Sequence, residues 1–145
     1  MWLQIQEMLR IEKGGEGQIP DELAAYDPMT PRGRELTATL LLEVEDPVRR
    51  DVFLRAVGGI EKCIYLSLGD ERIDARAEGD IERTRVSDGK ASAVHFFHFD
   101  FTTAQVERWR AGEGSAMLVI DHPNYSHAAL TGADARAFLV RECLA

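Results

Sequence analysis

The chain has 145 residues, of which 45% are hydrophobic and 29% are charged, as in folded rather than disordered proteins. Acidic residues outnumber Lys and Arg by 25 to 17, and the resulting net charge of −8 argues against a nucleic-acid-binding surface. No apolar run approaches the ~20 residues that cross a bilayer. The two cysteines, Cys63 and Cys143, form no CxxC motif, which is typical of the reducing cytoplasm. We therefore expect one cytoplasmic domain over residues 1–145.

Two helices are predicted before the first strand. Apolar residues recur at helical spacing over residues 2–13, and Gly14-Gly15 would end this helix. A short second helix should begin at Pro20, since proline suits a first turn, and should run through Tyr26. Two prolines then predict a loop over residues 27–33.

A strand, a helix and two more strands are predicted next. Apolar and polar residues alternate over 35–45, which indicates a strand with one apolar face. Asp46-Pro47 would start a helix that stops at Gly58-Gly59. Its expected packing face consists of Val48, Val52, Phe53, Ala56 and Val57. A second strand should follow over 60–68, and Gly69-Asp70 should turn it into a short charged edge strand over 72–77.

The second half of the chain shows a similar order of elements. Residues 78–90 are strongly charged and predict an exposed loop. The density of Val and Phe predicts a strand over 91–101. Thr102 with Gln105 forms a capping box for a helix that ends at Gly112. A strand over 116–122, closed by Pro123, precedes a last helix started by Thr131 with Asp134.

This order of elements predicts an α+β fold. Two β-α-β units, residues 35–68 and 91–122, frame a central turn region, and each crossover should be right-handed and join parallel strands. Such an order is the split β-α-β, or ferredoxin-like, pattern. The hairpin and loop over 70–90 would be an insertion in its sheet, with extra helices at the N- and C-terminal ends.

Histidines are the residues best suited to chemistry, because no phosphate-binding glycine loop, GxSxG elbow or local Cys-His pair is present. All four lie in the C-terminal half of the chain: His95, His98, His122 and His127. On the strand over 91–101, His95 shares one face with Phe97, whereas His98 shares the other with Asp100.

A metal site formed by His95, Asp121 and His122 is one interpretation. If the two C-terminal strands run parallel, the Asp100 end of one lies level with Asp121-His122 on the other. Imidazole and carboxylate groups are ligands of zinc and iron, so this set could bind either metal. In the alternative interpretation, His95 is a neutral histidine hydrogen-bonded within an aromatic core. Pro123 favours an extended strand end, where a site can open.

Several segments also form a pattern that covers nearly the whole chain. They are Gln4–Glu12, Glu22-Leu23 with Tyr26, Glu35–Thr39, Ala93–Phe96 and Asp121–Tyr125. The pattern resembles the signature of DUF3501, a bacterial family of unknown function. Family members usually carry a further N-terminal leader, so Met1 would fall inside the family's domain. They also tend to carry arginine where this chain has His98.

The resemblance implies functional positions and a setting, but no established activity. Positions that match the family's motifs, and are implied to bind a cofactor or ligand, are Gln6, Glu7, Arg10, Glu12 and Tyr125; His95, Asp121 and His122 match as well. Genes of the family often stand beside those of rubrerythrin-like di-iron proteins and an iron–sulfur oxidoreductase. This gene neighbourhood implies a redox or peroxide-stress setting.

Together these observations favour a non-enzymatic binding or accessory protein of such a redox system, with a rubrerythrin-like or iron–sulfur protein as its partner. The alternative is a metal-dependent enzyme or sensor that holds zinc or iron with the His/Asp set. We also expect a homodimer. The apolar side of the first helix, Trp2, Ile5 and Leu9, would otherwise lack cover.

Overall fold

The computed structural model describes residues 5–6, 9–10, 16–79 and 83–144. Of the predicted first helix, Ile5, Gln6, Leu9 and Arg10 are helical, whereas Trp2, Glu7, Glu12 and Gly14-Gly15 lie outside the described residues. Among the described residues, no helix has the length and apolar character needed to cross a membrane.

Helices and strands together confirm the α+β class. The helices are α1 Ile19–Tyr26, α2 Pro47–Ala56, α3 Thr103–Arg110 and α4 Ala133–Cys143, with short 3₁₀ helices at Glu16–Gln18, Asp27–Met29 and Ile60–Lys62. The strands are β1 Glu35–Leu41, β2 Ile64–Leu68, β3 Glu71–Asp74, β4 Arg76–Ala77, β5 Val94–Asp100, β6 Ala116–His122 and β7 Tyr125–Leu130.

The ferredoxin-like topology is wrong. The strands form two antiparallel sheets, with the orders β1-β5-β4 and β3-β2-β6-β7. The strands expected to run parallel within one sheet, β1 with β2 and β5 with β6, therefore lie in different sheets. Alternation of apolar residues selects the buried face of a strand but not its partner, and a helix can connect strands of two sheets as readily as strands of one.

A short bent segment at Ala75 links β3 of one sheet directly to β4 of the other. The Ala75 N–H donates to the Ile64 carbonyl at 3.0 Å in one sheet, and the Glu78 N–H donates to the Phe96 carbonyl at 2.9 Å in the other. The predicted turn at Gly69-Asp70 is confirmed, because β2 and β3 form a hairpin. The hairpin of β6 and β7 was not predicted, since Pro123 was interpreted only as a strand end.

The main core lies between the two sheets and the helices α3 and α4. Phe97, Phe99 and Phe101 follow one face of β5 and its continuation, and the Phe101 ring meets Trp109 edge-on at 5.6 Å. A smaller cluster includes Leu42, Leu54, Val57, Ile60 and Ala91. It packs under α2 and the first turn after it.

Two expectations about buried faces are wrong in part. Of the expected packing face of α2, Val57 is buried, whereas Val48 and Val52 are 73% and 65% exposed, and Leu54, outside that face, is buried instead. The apolar residues of this helix lie on several of its sides, so their spacing alone does not determine which face packs. Ile5 is only 4% exposed within the single chain, so at this position the first helix has cover and offers no free surface.

The last helix, α4, is not capped by the predicted pair Thr131 and Asp134. Its main polar contacts come from Arg136. The N-cap residue of α4 is Gly132, which makes no side-chain capping bond. The buried Arg136 guanidinium instead donates to four backbone carbonyls, those of Arg108, Trp109, Glu113 and Gly114, at 2.8–3.0 Å. These groups include the last carbonyls of α3, so one side chain caps that helix.

We expect Arg136→Met to lower the free energy of unfolding by about 2–4 kcal/mol, because it removes all four hydrogen bonds of the guanidinium to carbonyls at and after the end of α3. Arg141→Met, on the exposed side of the same helix, is the matched control and should change stability by at most about 0.5 kcal/mol. Urea denaturation measures both. Equal effects of the two substitutions would contradict the capping role.

Candidate functional site

Strand β5 separates the histidines onto two faces, as predicted from its alternation. The register with β1 places Thr37 opposite His98 and Leu40 opposite His95. The His95 face contributes to the interior. The His98 face is covered by the segment after α1: the Tyr26 and Phe96 rings meet edge-on at 6.3 Å, and the Thr37 hydroxyl donates to the Met29 carbonyl at 2.7 Å.

His98 lies between two carboxylates. Its Nδ1 is 2.9 Å from Glu35 Oε2, and its Nε2 contacts Glu78 Oε2. The histidine is 4% exposed, whereas both glutamates are only partly buried. An ionised carboxylate can only accept a hydrogen bond. If both glutamates are ionised, both contacts are therefore hydrogen bonds only when the His98 ring donates from each of its nitrogens. One imidazole thus connects β1, β5 and the residue after β4.

A second ion pair continues this cluster along the same face. The Arg76 guanidinium holds Asp100 in a bidentate pair, with Nε–Oδ2 at 2.7 Å and Nη2–Oδ1 at 3.2 Å. The Arg76 hydrogen bond is the main reason that the pKa of Asp100 lies below its ordinary value. Arg76 Nη2 also lies 4.0 Å from Glu35 Oε2. The carboxylates of Glu35 and Asp100 therefore have cationic or hydrogen-bonding partners within the chain.

A cleft of about 530 Å³ opens beside this cluster. Its lining consists of Arg32, Arg34, Glu35, Asp100, Phe101, Thr102 and Thr103. The first turn of α3 forms one wall, and the predicted capping box is confirmed: Thr102 Oγ1 accepts from the Gln105 N–H at 3.2 Å, and Gln105 Oε1 accepts from the Thr102 N–H at 2.9 Å.

The cleft contains two arginines and two carboxylates, and these groups differ in their pairing. Arg34 is exposed, and its guanidinium makes no hydrogen bond or ion pair within the part of the chain that the structure describes. Arg32 Nη2 lies 3.5 Å from Asp27 Oδ2, and both side chains are 73% exposed. Because the neighbouring carboxylates are already paired, the arginines and the helix N-terminus can receive an anionic group.

His95 is a neutral core histidine. It is 1% exposed, its ring stacks parallel to Phe97 with centroids 5.9 Å apart, and Nε2 lies 2.9 Å from the Ser92 carbonyl. That carbonyl can only accept, so Nε2 carries the proton. Burial lowers the pKa of His95 despite this hydrogen bond. Nδ1 is buried with no hydrogen-bond partner among the described residues.

His122 is also committed to the backbone. Its Nε2 donates to the Gly58 carbonyl at 3.2 Å, and its Nδ1 accepts from the Asn124 N–H at 3.2 Å. Both ring nitrogens are thus engaged by one neutral tautomer, and no lone pair is left for a metal. Asp121 is exposed, and Tyr125 packs edge-on against Phe53 at 5.6 Å.

The structure does not bring the proposed metal ligands together. The parallel alignment that placed His95 near Asp121 and His122 is wrong, because their strands belong to different sheets. Within residues 5–6, 9–10, 16–79 and 83–144, no group of three or more His, Cys, Asp or Glu side chains is arranged to hold a metal ion. Of the other motif positions, Gln6 and Arg10 are exposed, and Glu7 and Glu12 lie outside the described residues.

Sequence reasoning did not find the partners of His98. Glu35 and Glu78 are 63 and 20 residues away from it in the chain. Glu78 was assigned to a charged exposed loop. The one available signal was a histidine beside Asp100 on a face that should otherwise be apolar. A polar residue on such a strand needs partners from its neighbours.

The sequence and the fold were compared with known proteins. A family model described as "Protein of unknown function (DUF3501)" matches residues 1–143. The chain belongs to the DUF3501 family. A crystal structure of a protein of unknown function from Burkholderia pseudomallei is similar, with 38% identity, a TM-score of 0.80, and coverage of 97% of this chain and 72% of that one. No curated protein matches the chain.

The neutral state of His95 in this DUF3501 chain predicts a pH dependence of stability. A histidine whose folded pKa is lowered binds fewer protons than in the unfolded chain, so stability should fall as pH decreases below about 6.5. His95→Phe should remove that part of the slope between pH 7 and about pH 5. Urea unfolding at several pH values measures the difference between the two proteins. The same dependence of stability on pH in both proteins would contradict the assignment of His95 as a neutral histidine.

Proposed function

We propose that this chain is a non-enzymatic binding or accessory protein of a redox or peroxide-stress system, and that it binds an anionic group in the cleft beside His98. The redox setting rests on the gene neighbourhood that the family resemblance implies. The location rests on one observation of the fold: the acidic residues of the cleft are paired internally, whereas Arg34 is not.

Comparison with a second basic cleft supports this choice. A cavity of about 460 Å³ is lined by Arg83, Arg85 and Lys90. Its cations are already engaged: Arg85 pairs with Asp88 at 2.9 Å, Lys90 pairs with Asp51 at 2.6 Å, and Arg83 donates to a backbone carbonyl at 2.7 Å. An incoming anion would have to displace those contacts, whereas Arg34 can meet one without losing a partner.

We expect inorganic phosphate or succinate to bind with a dissociation constant of about 1 mM, since an exposed charge-assisted contact is modest in water. Arg34→Gln should weaken binding by about tenfold. Arg49→Gln, an exposed arginine elsewhere on the surface, is the control and should leave binding unchanged. Isothermal titration calorimetry at low ionic strength measures all three proteins. Equal affinity of the wild type and Arg34→Gln would contradict the site.

Partner capture tests the redox setting separately. A tagged copy at native abundance should recover a di-iron or iron–sulfur protein, and Arg34→Gln should recover less of it while Arg49→Gln recovers as much as the wild type. Recovery of nothing above background would contradict the accessory role. Phosphate binding in the calorimeter would still stand in that case, so the two parts of the proposal fail independently.

A further inference from the structure

The two edges of the four-stranded sheet differ in how well they are protected from pairing with another chain. β3, at one edge, carries Glu71, Arg72 and Asp74, and such charges discourage pairing with another chain. β7, at the other edge, contains no charged residue and no proline. All of its residues from Ser126 to Leu130 are exposed, and within the described ranges no strand pairs with its outer side.

The backbone groups that face the open edge follow from the register. The Thr131 N–H donates to the Ala116 carbonyl at 2.8 Å, so these two residues form a hydrogen-bonded pair of the β6–β7 ladder. Hydrogen-bonded and non-hydrogen-bonded pairs alternate in an antiparallel ladder. The N–H and C=O groups of Ser126, Ala128 and Leu130 therefore point outward, away from β6.

We propose that a second copy of this chain pairs with β7 in antiparallel orientation about a twofold axis, with Ala128 opposite the partner's Ala128. Ser126 then lies opposite the partner's Leu130, and every outward backbone group of these residues finds a partner. If the twofold axis passed through His127 instead, Leu130 would lie outside the paired segment. The joined sheet has eight strands, because each copy contributes its four.

Self-complementarity favours a second copy as the occupant, because the outward groups of β7 are arranged symmetrically about Ala128. Each chain carries a net charge of −8, so two copies approach most readily where neither presents charge. The side chains that meet at this edge, Ser126, Ala128 and Leu130, are uncharged, and the central alanine allows close approach. On the same face, Leu130 lies opposite Met117 of β6 and is 69% exposed, so pairing covers an apolar side chain.

The oligomeric state tests the proposal. Light scattering at rising concentration should show a dimer, and Ala128→Lys should shift its dissociation constant upward by at least about a hundredfold, because two ammonium groups would meet at the axis. Ala137→Lys, on an exposed position of α4, should leave the dimer intact. A monomeric mass for the wild type at roughly 100 µM, or a dimer that survives Ala128→Lys, would overturn the proposal.

Cross-linking tests the register, in a background with Cys63→Ser and Cys143→Ala. Opposite residues of a hydrogen-bonded pair have Cα atoms about 5.5 Å apart, within the range of a disulfide. Ala128→Cys should therefore give a covalent dimer under mild oxidation. His127→Cys should not, because the two introduced thiols would lie diagonally, about 7–8 Å apart by Cα. Cross-linking of His127→Cys but not of Ala128→Cys would overturn the proposed centre.

Discussion

Burial of β5 on both faces is the constraint on which the rest of the structure depends. Its interior face contributes Phe97 and Phe99 to the core, and its other face is covered by the segment that contains Tyr26 and Met29. A polar side chain on such a strand must find partners or carry a large desolvation cost. His98 meets this requirement through carboxylates from the two neighbouring chain segments, and this cluster forms the border of the open cleft.

The same need for partners distinguishes polar side chains that are paired within the chain from those that remain available to a ligand. His95 and His122 both make hydrogen bonds to backbone carbonyls, and burial of His95 favours its neutral ring. Glu35 and Asp100 beside the cleft have hydrogen-bonding partners in His98 and Arg76, whereas the Arg34 guanidinium has none among the described residues, although the whole chain is strongly acidic. The cleft can thus attract an anion on a protein whose overall field repels one.

Local signals in the sequence predicted local structure well. The capping box at Thr102 and the helix start at Asp46 are both confirmed, because each depends on residues within one turn. Strand partners were predicted wrongly, since pairing of β1 with β5 depends on contacts across more than 50 residues of chain that alternation does not encode. The His98 cluster was missed for the same reason. His95 was placed on its correct face, but the metal set assumed a parallel sheet that does not form.

The location of ligand binding is the central claim, and a map of backbone amide shifts during titration of isotope-labelled protein with inorganic phosphate tests it most directly. Binding in the cleft should give the largest shifts at Arg34, Thr103 and Ala104, where the free guanidinium and the first turn of α3 face the cleft. Largest shifts at Arg83, Arg85 and Lys90, or no saturable shift anywhere, would contradict it.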